Sequence, residues 1–163
     1  MSFEERRTLA WHETLELHEL TAFHSFGLMK LKRAIKTVRD APLRELYLEA
    51  ILGIEKQLRE LVKFYPSTPG CQREDDERVL EDFYAGDLLA MSKALVRNYS
   101  IAITETATPL LRKTLTNHLL ESIRLHERVF IYMYQNRLYP AYDLGELVQN
   151  DLNNANKALN MKY

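Results

Sequence analysis

Leu17, Leu20, His24, Leu28, Leu31, Ile35 and Val38 follow one another at steps of three and four residues, and this rhythm governs what the chain can fold into. Residues so spaced share one face of an α-helix, whereas a half-buried strand would alternate. The rhythm returns in three more long stretches: Leu43, Tyr47, Ala50, Ile54, Leu58 and Leu61; Leu88, Ser92, Leu95, Tyr99, Ala102 and Thr106; and Leu111, Leu115, Leu119, Ser122, His126, Val129 and Met133. A shorter stretch carries Leu147, Val148, Leu152 and Ala155. The pattern predicts an all-α domain over residues 1–163, with helices over about 8–40, 42–64, 87–107 and 109–136 and a short one over about 143–157. The five glycines and five prolines fall mainly between these stretches, as helix punctuation should.

The punctuation suggests a topology. Asp40-Ala41-Pro42 breaks the first helix and opens the second, because proline is tolerated in a first turn. Thr108-Pro109 supplies an N-cap and first position for the fourth helix, Asp87 is placed to cap the third, and Asp143 with Glu146 resembles a capping box for the last. Between the second and third helices lies a long connection, from Pro66 to Gly86, with Pro69, Gly70 and the acidic run Glu74-Asp75-Asp76-Glu77. A short helix is expected inside it around 77–83. The second helix would span roughly 35 Å, and the connection could reach roughly 70 Å if extended. Two tight hairpins joined by one long connection describe a ferritin-like four-helix bundle better than a simple up-down one.

Composition removes several function classes. The formal net charge of −1 offers no field to draw in nucleic acid or an anionic membrane. No apolar run approaches the roughly 18 residues of a membrane span, and Met1–Arg7 has no apolar core of the kind a secretory signal needs. The lone cysteine, Cys71, excludes an internal disulfide, so packing must hold the fold. Its simplest reading is an exposed loop thiol.

A ferritin-like bundle prompts a search for a dimetal site, whose Glu-x-x-His pairs project two ligands from one helix face. The positions three before His12, His18, His24, His118 and His126 hold Leu9, Leu15, Thr21, Leu115 and Ile123, so the standard site is absent. His12-Glu13-Thr14-Leu15-Glu16 starts like a zincin helix and ends in Glu where the second His belongs. An irregular metal site would have to draw on Glu13, Glu16, Glu105, His118, Glu121 and His126, whose plainer reading is solvated or hydrogen-bonded polar side chains. There is no phosphate-binding glycine loop, nucleophile elbow or Cys/His pair, so neither a catalytic residue nor a cofactor is expected. Tyr132, Tyr134, Tyr139, Tyr142 and Tyr163 crowd the C-terminal end. They pack the bundle end, or they form an aromatic interaction surface for which Tyr134, Tyr139, Tyr142 and Tyr163 are the candidates. An apolar stripe left uncovered by the last helix would favour a homo-oligomer.

Several runs carry a family resemblance: Thr8-Leu9-Ala10-Trp11-His12-Glu13-Thr14-Leu15-Glu16, Ile101-Ala102-Ile103-Thr104-Glu105-Thr106-Ala107-Thr108-Pro109, Tyr132-Met133-Tyr134-Gln135 and Met161-Lys162-Tyr163. Together they resemble the spore coat protein F family of endospore-forming bacilli, in the same order over nearly the whole chain. The resemblance implies a ferritin-like fold and a place in the protein shell laid down around the forespore. It also implies other coat proteins as partners and synthesis in the mother-cell cytoplasm. It brings no catalytic residues. The expected role is a structural coat component; the alternative is a ferritin-like metal-binding or redox protein with an irregular site.

Overall fold

The computed structural model describes residues 8–67 and 81–163. In chain order it contains α1 (Trp11–Ala34), α2 (Ala41–Leu61), a 3₁₀ segment (Val62–Ser67), α3 (Glu81–Glu105), α4 (Pro109–Gln135) and α5 (Leu144–Asn160). No strand occurs among the described residues, so the all-α class read from the periodicity is the one the chain adopts. Cys71, the acidic run 74–77 and the start of the expected short helix lie outside the described residues. The chain forms two compact units: α1, α2, the 3₁₀ segment and α5 make one, and the α3–α4 hairpin makes the other.

In the first unit, α1 stops at Ala34, short of the end near residue 40 that the periodicity suggested. The reason is local. Backbone bonds from Lys36 to Arg33 and from Thr37 to Ala34 tighten the chain into i→i+3 turns, and the Thr37 hydroxyl donates to the Ala34 carbonyl at 2.9 Å. Arg44 of α2 then donates to the Ile35 carbonyl at 2.6 Å, satisfying another group the helix end leaves open. Asp40 caps α2, its Oδ1 accepting the Leu43 amide at 2.9 Å, with Pro42 inside the first turn as expected. Asp40→Ala is expected to cost about 1 kcal/mol, read from the urea midpoint of the purified chain.

The buried face of α1 differs from the predicted stripe. Leu17, Leu28 and Ile35 are buried as expected, but Leu20 is 47% exposed. Thr14, His18, Thr21, Ser25 and Lys32 are buried instead, a run of polar residues at steps of four, three, four and seven. The cause is α5, which packs on α1 and buries Asp151, Asn154, Ala155 and Ala158 alongside the apolar Leu147 and Val148. Small and hydroxyl side chains let two helices approach closely, and a core of Leu17, Tyr65 and Val148 closes one end of the seam. On α2 the fully buried residues are Ile51 and Leu58, while Leu43, expected inside, is 44% exposed.

In the second unit, residues 106–108 join α3 to α4, and the two helices pack as an antiparallel hairpin. α3 opens at Glu81, so Asp87 sits within the helix rather than capping it. Ala85, Leu89, Val129 and Met133 form the core, with Leu125, Phe130, Leu138 and Tyr139 packed against it. Ser92, Thr106 and Ser122 are buried as predicted, whereas Leu88 and Leu111 are exposed. Thr108 occupies the N-cap position of α4 without a side-chain capping bond. The far end of α4 closes with Arg137 at φ 57°, where the Leu138 amide reaches back to the Met133 carbonyl at 2.8 Å and the Arg137 amide to Tyr134 at 3.1 Å. This double closure suits glycine at the left-handed position, so Arg137→Gly should raise stability by about 0.5–1 kcal/mol in a denaturant titration.

Candidate functional site

Two buried polar nodes hold α5 against the rest of its unit. In the first, Asp151 of α5 faces His18 of α1 and Tyr65 of the 3₁₀ segment. His18 Nδ1 lies 2.9 Å from Asp151 Oδ1 and 2.8 Å from Oδ2, and the Tyr65 hydroxyl donates to Oδ2 at 2.7 Å. His18, Tyr65 and Asp151 are 5%, 1% and 2% exposed. With Asp151 ionised, this geometry assigns the Nδ1 proton to His18, because the carboxylate only accepts. Burial pushes the Asp151 carboxyl above its ordinary value of 3.8, and the negative charge of Glu19 adds to the rise. The hydrogen bond and charge of His18 and the Tyr65 hydrogen bond oppose it without overcoming it.

The second node is Lys32, 1% exposed although it is an ammonium. Its Nζ donates to the carbonyls of Ala158 at 2.9 Å and Leu159 at 3.1 Å, and pairs with Glu55 Oε1 of α2 at 2.6 Å. The Tyr163 ring lies 5.2 Å from Nζ. A cation against the last carbonyls of a helix answers both the unpaired oxygens and the negative end of its dipole. Lys32 thus ties the C-terminus of α5 to α1 and α2 together. Asp143 fixes the other end of α5, its Oδ1 accepting the Glu146 amide at 2.9 Å.

A His–Asp–Tyr set has the right groups for moving protons, but all three members of this one are closed to solvent. Its chemistry is to specify how α5 seats. Neither Asp151, Tyr65 nor Lys32 stood out in the sequence. The available signal was their register: Asp151 falls between Leu147, Val148 and Ala155 on the α5 stripe, and Lys32 falls in line with Leu28 and Ile35.

The residues considered for a metal site are dispersed. Glu13 is exposed and accepts the Ala10 amide at 2.7 Å, so it closes the start of α1. Glu16, Glu105 and Glu121 are exposed. His118 is exposed, with its ring edge-on to Tyr99 at 5.5 Å, and His126 is half-buried. His24, expected inside, is half-buried, with Nδ1 2.7 Å from the Leu20 carbonyl and Nε2 3.2 Å from Gln57 Oε1. Among the described residues, no three His, Cys, Asp or Glu side chains gather where they would hold a metal ion.

The tyrosines divide between the units. Tyr134 stacks on Phe130 at 6.3 Å and remains 44% exposed, while Tyr139 is half-buried, edge-on to the same ring at 5.7 Å. In the other unit, Tyr142 is 87% exposed and Tyr163 is 44% exposed. Other large apolar side chains stand open as well, among them Trp11 and Phe23 on α1, Met91 on α3 and Leu110 and Ile123 on α4. No helix among the described residues is long and apolar enough to cross a membrane.

Comparison with known proteins places this sequence in a family. The sequence model of the Coat F domain matches residues 81–142, a span that takes in the α3–α4 hairpin and its exit toward α5. The spore coat protein F-like protein YraD of Bacillus subtilis (strain 168) is 35% identical over 81 residues, which are 50% of this chain and 82% of that protein. No solved structure matches. Identity at this level across most of a coat protein F relative, together with the domain match on the hairpin, means that the chain belongs to the spore coat protein F family.

Proposed function

We propose that this protein is a structural component of the bacterial spore coat that acts through protein–protein contacts and carries no catalysis of its own. The observation that carries the reading is family membership, through a relative matched over 82% of its length. Two features of the chain support it. The buried His18–Asp151–Tyr65 set is sealed from solvent, and large apolar and aromatic side chains stand open on both units. Tyr134 and Tyr142, rigid amphipathic groups left open to solvent, are the contact residues we favour, followed by Tyr139 and Tyr163. The partners are other coat proteins and further copies of the chain, and no role with nucleic acid or within a membrane is proposed.

The ferritin-like topology belongs to this proposal. Its support is the family resemblance and the two helical hairpins, α1–α2 and α3–α4, each seen within its own unit. On this reading the protein is made in the mother cell and then recruited to the forespore surface. A fluorescent fusion expressed from its own promoter is expected to gather as a ring around the forespore. A signal that stays diffuse in the mother cell through sporulation would overturn the reading.

A further inference from the structure

Within the α3–α4 unit, α4 buries one face against α3, through Ser122, Val129 and Met133. The opposite face of a surface helix is usually polar. On α4 it is not. Leu120, Ile123, Ile131 and Tyr134 stand there, each 44% to 48% exposed. With the exposed Glu127 between them they follow at steps of three, four, four and three, so all five share one row along the helix. Exposed apolar side chains scattered singly are ordinary, but an aligned row marks a contact surface. The row lies wholly within residues 81–142, the span that the Coat F domain matches.

We propose that this outer face of α4 is a self-association surface, on which the α4 of a second copy of the chain lies antiparallel about a twofold axis. The charges on the face select that occupant. Arg124 and Glu127 are both exposed, and neither takes part in an ion pair among the described residues. Across a twofold contact, if one residue meets another then the reverse also holds. Setting Arg124 opposite Glu127 of the second copy therefore forms two ion pairs at once. Leu120 stands four residues before Arg124, and Ile131 stands four after Glu127. The register that joins the charges thus also sets Leu120 against Ile131 of the second copy, twice over. A face with one base and one acid, placed symmetrically between apolar residues, complements itself, and the central charges fix the register. One helix pair buries less than the roughly 1,200 Å² of a stable complex, so pairing in solution belongs in the micromolar range or weaker. The surface gives the contact role proposed above a partner and a place, and to that extent rests on it. The two readings fail separately, because pairing is measured without spores.

Sedimentation equilibrium of the full chain, from micromolar to near-millimolar concentration, tests the pairing. A reversible monomer–dimer equilibrium is expected. Leu120→Glu should weaken it by about tenfold or more, and so should Glu127→Arg or Arg124→Glu alone, since each sets like charges face to face. An equimolar mixture of Glu127→Arg and Arg124→Glu chains should recover dimer, because every contact across the axis again joins arginine to glutamate. The substituted side chains are exposed, so circular dichroism should show unchanged helix in all variants. A monomer at every concentration, as a face reserved for a different partner or for another segment of the chain would give, overturns the proposal. So does a dimer indifferent to Leu120→Glu and Glu127→Arg, or a mixture that stays monomeric.

Discussion

Replacing Asp151 with alanine is expected to lower the thermal midpoint of the α1–α2–α5 unit by roughly 10 °C, whereas asparagine at the same position should cost far less. Alanine removes the shared acceptor of two buried donors, His18 Nδ1 and the Tyr65 hydroxyl, and opens a small cavity between three elements. Each orphaned donor costs about 1–3 kcal/mol, and a broken buried ionic set typically costs about 3–5 kcal/mol altogether. A chain of this length shifts its midpoint by about 2–4 °C per kcal/mol, which gives the expected drop. Asparagine keeps an oxygen for Tyr65 and presents an amide to His18 without burying a charge. Circular dichroism melts of the three proteins at one pH decide the matter. Equal losses in both variants would mean that the carboxylate matters for its charge and not for the hydrogen bonds it accepts.

The second large effect is expected at Lys32. Lys32→Ala leaves Glu55 without its 2.6 Å partner and two carbonyls at the end of α5 without a donor, at a cost of about 3–5 kcal/mol. Lys32→Met restores the apolar stem but still leaves Glu55 without its 2.6 Å partner, with the exposed Arg59 at 3.7 Å as its remaining ion pair, so it should recover only part of the loss. Combining Lys32→Met with Glu55→Gln removes both charges, and the double variant should be more stable than Lys32→Met alone. A double-mutant cycle in urea measures the coupling directly. Strict additivity would place the contribution of Lys32 in its contact with α5 and not in the Glu55 pair.

The contrast between Leu28 and Lys32 shows how far the fold was legible in the sequence. Three- and four-residue spacing identified the helices and put Leu17, Leu28 and Ile35 on the buried side, because those side chains gain wherever they are covered. It misjudged Leu20 and passed over Thr14, His18, Thr21, Ser25 and Lys32, because their burial depends on α5, which returns from far along the chain. A polar residue on a helix announces its burial only through its partner, and Asp151 and His18 are separated by most of the sequence. Helix limits behaved in the same way. Asp143 caps α5 where the sequence put it, and Asp40, read only as part of the break before α2, caps that helix, but Asp87 lies inside α3, since an aspartate is also tolerated within a helix. The resemblance quoted from residues 101–109 and 132–135 falls inside the span that the Coat F domain matches. The His18–Asp151–Tyr65 node lies outside that span, and no motif pointed to it.

The central claim is that this protein ends up in the spore coat as a building element. Immunoblotting of fractionated cultures of the native host tests it most directly, using an antibody against the untagged chain. Purified spores are stripped of coat by detergent and alkali, and the extract, the stripped spores and the mother-cell lysate are compared. The account predicts that most of the chain from mature spores appears in the coat extract. Recovery chiefly from the mother-cell lysate, or from spores already stripped of coat, would contradict it.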